Sequence, residues 1–445
     1  MTEQPALPSR LSELTVIIAG GGIGGLAAAL LLSRAGAAGV TLVERVADPA
    51  EVGAGLLLQP NGLAVLKGLE LDGTLKSSGF AADGGSVHGA DGRVISRIAT
   101  PDYGTGLDHV VAIRRSMLYS AMLTAVRSDP AIHCLFGSTV VGASPTGRVT
   151  IRNGDETREL SGGLVVGADG ISSTIRAAGD FGATLSATGH SYLRAIVPDA
   201  GASTMPLVGP DEGGPPFNTG GSTELTGDAG ARLVNALPDL AGEYWTPLGL
   251  FGGTRIDEGH LYFYADVTSG PVAEAVRHRD LPALTSIWAH EFPMAGQLLR
   301  RVASFDELLI NDVKTVTCRR WFDSRLVLIG DAAHSMPPNA GQGANCALVD
   351  AAILAFHLGR YPLQQALTTY DKRRRHPVRK VQRRAAQLAR LAGIRNAFLQ
   401  ELRDSTLRVL GAVPGSGQRL AKGLQQENPA QLVAIVRDTI GAGRD

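Results

Sequence analysis

Residues 15–45 constrain the fold more than any other part of the chain: TVIIAG, an apolar run rich in β-branched residues, is followed by GGIGG, by LAAALLLSRAG and by GVTLVER. In order these read as a strand, a glycine loop, a helix closed by Gly36 and a second strand, the opening of a doubly wound parallel sheet. Gly20-Gly21-Gly22-Ile23-Gly24-Gly25 satisfies G-x-G-x-x-G in the strand-to-helix context where the pattern has physical meaning. Gly20 permits the tight turn, Gly22 lets backbone approach a pyrophosphate, and Ile23 and Gly24 open the helix whose positive end faces the phosphates. Gly25 allows close helix–strand packing. Glu44 ends the second strand, where a carboxylate accepts hydrogen bonds from ribose hydroxyls and repels a 2′-phosphate. An ADP-containing cofactor, FAD or NAD rather than NADP, is expected to be held tightly.

A second segment chooses between them. RLVLIGD reads as a buried strand ending at Gly330-Asp331, where a carboxylate can bind a flexible polyol such as ribityl. Gly341-Gln342-Gly343-Ala344-Asn345 then begins a helix, so its free N–H groups can face the N1–C2=O edge of a reduced flavin, where negative charge gathers. FAD is the expected resident cofactor. Gly249-Leu-Phe-Gly252-Gly253 lies between strands, so the sequence has no second dinucleotide motif in the required context.

The expected fold is α/β: a discontinuous Rossmann-like FAD-binding domain (1–80, 99–180 and 306–370), an inserted sheet-rich substrate domain (81–98 and 181–305) and a C-terminal helical region (371–445). Residues 84–98 alternate about Asp91-Gly92, a hairpin signal. Residues 199–230, dense in Gly, Pro, Ser and Thr, read as a surface cover or binding loop. Residues 372–408 carry twelve Lys/Arg against two acids, and Val378, Val381, Ala385, Leu388 and Leu391 recur at helical spacing. The expectation is an amphipathic helix with its basic residues on a solvated face.

Composition narrows the function classes. Lys+Arg and Asp+Glu both number 42, so no global field attracts nucleic acid or an anionic membrane. Cys134, Cys318 and Cys346 are far apart and form no zinc pattern, which points to a reduced, cytoplasmic protein without a metal centre. No apolar run reaches the length of a membrane span, and the first residues lack a secretory core, so neither integral membrane association nor export is expected.

Four separated segments together resemble the class A, p-hydroxybenzoate hydroxylase-like FAD-dependent aromatic monooxygenases. They are GGGIGG with Glu44-Arg45, Arg115-Ser-Met-Leu118, Gly167-Ala-Asp169-Gly170 with Ser172, Ser173 and Arg176, and Gly330-Asp331 through Asn345. The resemblance implies that Glu44 and Arg45 contact the adenosine end and Arg115 the FAD, and that Asp331 contacts the ribityl-pyrophosphate region. It ties Asp169 to both the FAD and NAD(P)H sites, sets Pro338 beside flavin and substrate, and makes Gly341, Gly343, Ala344 and Asn345 a flavin-contacting helix start. It also implies NAD(P)H as a transient reductant, O2 as co-substrate, and a flavin C4a-hydroperoxide that hydroxylates an aromatic or polycyclic small molecule. Epoxidation or oxidative rearrangement on the same fold, and a non-catalytic FAD-fold binding module, stay open.

Tyr192, Arg194 and Tyr264 are the candidate substrate contacts beside Pro338, and no catalytic base is named. Between residues 195 and 276 only Arg232 and Arg255 are basic, aromatic residues are plentiful, and Leu56–Leu58 are apolar. A flat, weakly charged, fairly large aromatic substrate is expected, although Arg194 or Arg232 could reach it.

Overall fold

The computed structural model describes residues 10–48, 54–89, 91–104, 106–199 and 242–441. Its strands in chain order begin with β1 (Thr15–Ala19), β2 (Gly39–Glu44), β3 (Gly55–Leu58), β4 (Gly79–Ala82), β5 (Gly84–Gly89), β6 (Val94–Ala99) and β7 (Val110–Arg114). β8 (Ile132–Phe136), β9 (Thr139–Ala143), β10 (Arg148–Asn153), β11 (Glu156–Ser161), β12 (Leu164–Gly167) and β13 (Ala183–Pro198) follow. The last are β14 (Gly242–Thr246), β15 (Gly249–Asp257), β16 (His260–Asp266), β17 (Leu309–Cys318), β18 (Phe322–Asp323) and β19 (Leu326–Leu328).

One sheet has the order β18-β19-β12-β1-β2-β8 and is parallel except at β18. Both of its faces are covered, which is why β12 is buried throughout and its strands read as continuous apolar runs. The helix Ile23–Arg34 crosses it with Leu26 through Leu32 all fully buried. Gly25 permits that closeness, since a Cβ there would stand 1.9 Å from the Gly20 carbonyl oxygen, and Gly20 itself turns at φ +100.

The larger sheet, β17-β13-β16-β15-β14-β5-β6, is antiparallel except where β14 joins β5. Its two faces have different partners. Leu193, Ala195, Phe251, Phe263 and Ala265 pack with Trp288 and the helices Gly270–Arg277, Leu281–Glu291 and Pro293–Leu299. The alternate residues, among them Tyr192, Arg194, Tyr262 and Tyr264, turn to a cavity on the other face. Strands β5 and β6 form the expected hairpin, with Gly92 at φ +76. β17, which the sequence reading grouped with the FAD-binding segments, runs antiparallel to β13 in this sheet.

The basic run after residue 371 departs from its reading. It lies on two helices, Leu363–Ala392 and Ala397–Gly411, and its charges are not all solvated. Arg374 is fully buried with Nε 2.8 Å from Asp350 Oδ1, and Arg403 is 6% exposed. Val378, Val381 and Ala385 are buried as the spacing predicts. No helix among the described residues is long and apolar enough to cross a membrane. Residues 200–241 lie outside the described residues, and with them all but the first residue of the stretch read as a cover, as well as Arg232.

Candidate active site

A cavity of about 740 Å³ runs between the two large sheets, from the glycine loop to the Tyr-lined face of β13–β16. Gly22, Ile23 and Gly24 form one end, with Arg115 at the start of the helix Arg115–Ser128. Leu56 and Leu57 of β3 form an apolar side, and Gly330, Asp331 and residues 336–344 form the floor. Leu388, Leu420 and Leu424 reach it from the C-terminal helices.

The residues expected at a dinucleotide separate into those the structure brings to this cavity and those it uses elsewhere. Gly22, Ile23, Gly24, Arg115, Asp331, Gly341, Gly343 and Ala344 line it, as do Pro338, Tyr192, Arg194 and Tyr264. Asp331 is exposed into the opening as the first residue of a short helix rather than the end of a strand, because β19 stops at Leu328. Glu44 accepts from Gly21 N–H at 2.7 Å and Val46 N–H at 2.9 Å, so it braces the glycine loop from outside the cavity lining. Arg45 is exposed and does not line the cavity.

Asp169 Oδ2 accepts from Thr174 N–H at 2.7 Å and Ile175 N–H at 3.1 Å, anchoring a short helix. Its neighbours Ala168 and Gly170 line the cavity in its place, and burial raises its carboxyl. Asn345 departs most from its expectation. It is fully buried, with Oδ1 accepting from Gln59 N–H and Nδ2 donating to Leu57 O and Gly341 O. Its side chain clasps β3 to the glycine-rich loop and leaves the cavity to the loop's backbone.

Beneath that loop lies a paired ionic layer. Asp350 accepts from Gly330 N–H at 3.0 Å and Arg374 Nε at 2.8 Å, and its Oδ2 stands 2.5 Å from His334 Nε2. Burial pushes Asp350 up, but His334 and Arg374 outweigh it and hold the carboxyl below its usual range. Arg176 ties the same region to the ADG turn by donating to Ala332 O and Ile171 O.

The sheet wall is built differently. Tyr264 Oη donates to Glu243 Oε1 at 3.0 Å, and Trp245 Nε1 donates to Glu243 Oε2 at 3.2 Å. Burial raises the Glu243 carboxyl, only partly offset by those two donors. Burial also pushes the Tyr192 phenol up to about 12, and its hydroxyl pairs with Asn339. Burial and adjacent Glu243 push Tyr264 well above its ordinary value. Sequence reasoning missed Glu243, although it is the sole acid in the run EYWTPLGLFGG. An acid inside an aromatic strand was the available signal.

The cavity suits a flavin dinucleotide on its own terms. A Cβ placed on Gly22 or Gly343 would meet nothing within 4 Å, so backbone there is open to a ligand. The first bond of the helix beginning at Gly343 is Cys346 N–H to Gln342 O, which leaves the preceding N–H groups without intrahelical partners. Gln342 Nε2 is a buried donor with no partner among the described residues.

Comparisons with known proteins agree with this geometry. A family model described as FAD binding domain matches residues 13–205 and 295–385, more than half of the chain. Aurachin C monooxygenase/isomerase of Stigmatella aurantiaca is 29% identical over 90% of this chain and 95% of its own length. A 2-heptyl-3-hydroxy-4(1H)-quinolone synthase of Pseudomonas aeruginosa is 28% identical over 91% of this chain and 96% of its own. Among solved structures, 2-methyl-3-hydroxypyridine-5-carboxylic acid oxygenase superposes with a TM-score of 0.70 at 23% identity, covering 94% of this chain and 98% of that one. Klebsiella pneumoniae HpxO, complexed with FAD and uric acid, gives 0.69 at 20% identity and 97% coverage of both chains. Loop, cavity and family match converge on one conclusion: the chain belongs to the FAD binding domain family, among its p-hydroxybenzoate hydroxylase-like, FAD-dependent monooxygenases.

Proposed function

We propose that this monooxygenase hydroxylates an uncharged, bicyclic or larger aromatic small molecule with O2, using FAD as resident cofactor and NAD(P)H as a reductant that docks and leaves. The observation that carries the reading is the aromatic sheet face: Tyr192, Trp245, Tyr262 and Tyr264 line the same cavity as the glycine loop, opposite apolar Leu56 and Leu57. Such a wall favours a flat ring by area and by ring-on-ring contact. Of the two sequence relatives named above, one is by name a synthase of a 3-hydroxy-4(1H)-quinolone and the other an aurachin C monooxygenase/isomerase, and the quinolone product supports a bicyclic heteroaromatic over a small benzoate. Arg194 does reach the cavity, so the wall is not free of charge, but Glu243 stands on it as well.

In this proposal Gly22, Ile23 and Gly24 hold the pyrophosphate, Gly20 and Gly25 supply the turn and the close packing that bring them to it, and Glu44 and Arg45 serve the adenosine end. Arg115 and Asp331 flank the ribityl chain, and Gly343 and Ala344 present backbone N–H groups to the flavin ring, while Gly341, whose N–H bonds the Pro338 carbonyl, makes the turn that brings them there. FAD, when bound, supplies the electrons that activate O2. The chain's own residues orient the ring, exclude water and stabilise charge.

The test is NAD(P)H oxidation by purified protein across hydroxybenzoates, neutral phenols, quinolones and polycyclic quinones, with products identified by mass spectrometry. Hydroxylated bicyclic product formed with little peroxide supports the reading. Efficient hydroxylation of a hydroxybenzoate, with the neutral compounds only releasing peroxide, would make Arg194 an anion anchor and overturn the substrate class.

A further inference from the structure

One row of residues crosses the larger sheet at a single register level. Leu309 pairs with Arg194, Arg194 with Tyr264, Tyr264 with Gly252, Gly252 with Glu243, and Glu243 with Val87. Directly opposed residues share a face, and Leu309, Arg194, Tyr264, Glu243 and Val87 all line the cavity. With strands about 4.8 Å apart, the Cα atoms of Arg194 and Glu243, three strands from one another, are separated by about 14 Å. Gly252 keeps the middle of the row open, because a Cβ there would come within 2.6 Å of the Tyr264 ring. Tyr264 therefore lies across β15 and reaches Glu243.

Glu243 has no cation partner among the described residues. Its two partners, Tyr264 Oη and Trp245 Nε1, both donate, one to each carboxylate oxygen. A carboxylate offers about four lone-pair positions, so acceptor capacity remains on the cavity side. The carboxyl is held in place from behind: the Arg403 guanidinium lies 5.0 Å from the centre of the Trp245 ring, and Arg403 is itself fixed by Asp404 Oδ1 at 2.7 Å and the Leu391 carbonyl at 2.9 Å. An oriented acceptor at one end of the row and an Arg donor at the other complement a ring that carries a hydrogen-bond donor at one end and a carbonyl at the other.

We propose that Glu243 is the specificity-determining acceptor of this site: it receives the ring N–H or phenolic O–H of the substrate and so selects aromatic rings bearing that donor over isosteres that lack it. A site built to bond a donor rejects the analogue without one strongly, because its own polar group is then left unpaired. The inference rests on the reading of the cavity as an aromatic monooxygenase site.

The experiment titrates FAD-loaded protein with 4(1H)-quinolone and with chromone, which has a ring oxygen in place of the N–H, and follows the flavin absorbance change on binding. Wild type is expected to bind the quinolone at least about tenfold more tightly, the worth of a hydrogen bond to a charged group. In Glu243→Ala and in Glu243→Leu, which remove the acceptor, the ratio is expected to fall close to one, and in Glu243→Gln, whose amide oxygen still accepts but carries no charge, to fall only in part, read in whichever variant retains wild-type FAD content. An unchanged ratio in an FAD-retaining Ala or Leu variant overturns the role of Glu243 and leaves the proposed function standing. Failure of wild type to bind either compound overturns both.

Discussion

The layer beneath the glycine-rich loop and the aromatic sheet wall both bury a carboxyl group, and they treat it in opposite ways. Asp350 is enclosed by His334, Arg374 and the Gly330 N–H, so its charge is compensated and its carboxyl held low. Among the described residues Glu243 meets only neutral donors, and its carboxyl is held high. A buried charge with a full set of partners acts as scaffold; one left short of partners on a cavity wall costs stability that only a ligand can return. The comparison separates the residues that build the site from those that read the substrate.

The largest expected effect breaks the scaffold half. Asp350→Asn leaves buried Arg374 with Glu427, 3.9 Å from its Nη1, in place of its nearer counter-charge, a loss of up to about 3–5 kcal/mol, seen as a lower midpoint in denaturant unfolding and as loss of FAD on gel filtration. An unchanged midpoint would mean that the pair holds nothing together. Next, Asp331→Ala is expected to weaken FAD retention about tenfold or more, the worth of about 1.5–3 kcal/mol for a charge-assisted hydrogen bond. Asp180→Ala is expected to leave it unchanged, because Asp180 spends its carboxylate on Arg320 at the surface. Equal FAD occupancy in the two variants would remove Asp331 from the cofactor site.

The third prediction reverses the sign of the first. The folded-state pKa of Glu243 is raised, so the stability tied to its neutral form is complete below the unfolded value near 4.3 and is lost as pH rises through the folded one. Glu243→Gln is therefore expected to melt at a higher temperature than wild type at pH 8, by less than Asp350→Asn loses, with the two curves converging near pH 4. A lower melting temperature at pH 8 would show that Glu243 is compensated after all. The smallest effect belongs to Arg320→Ala, whose exposed pair with Asp180 is worth about 0–1 kcal/mol. A larger loss in a chemical melt would mean that surface pairs also carry the scaffold.

The cofactor half of this comparison was the more legible in the sequence, for a physical reason. The glycine loop, its helix and the strand ending in Glu44 lie within some thirty residues, so each constraint is local and leaves its mark in order along the chain. Gly341–Ala344 were found the same way, as a glycine-rich start to a buried helix. Asn345 was placed correctly in the chain but not in its contacts, since only the fold brings Gln59 and Leu57 to its amide. Glu243 owes its character to Tyr264 and to Gly252, whose missing side chain lets the Tyr264 ring cross β15, both on other strands, and nothing local announces them. Arg374 was read as solvated because helical spacing separates an apolar from a polar face and cannot show a third neighbour. The acid that buries it, Asp350, stood in plain view inside the apolar run ANCALVDAAILAF.

The cavity takes its walls from Gly22, near one end of the chain, and from Leu420 and Leu424, near the other. During synthesis, at about 5–20 residues per second, the glycine loop leaves the ribosome tens of seconds before the helices that complete its pocket. Through the first part of that interval β1 waits for β12 as its parallel neighbour, and in the later part the aromatic wall still has no helix behind Trp245. A flavin that arrives early meets a loop but not an enclosure, so tight capture waits for the helices that carry Leu420 and Leu424. Holoenzyme yield should therefore follow the flavin concentration once those helices have emerged rather than at initiation.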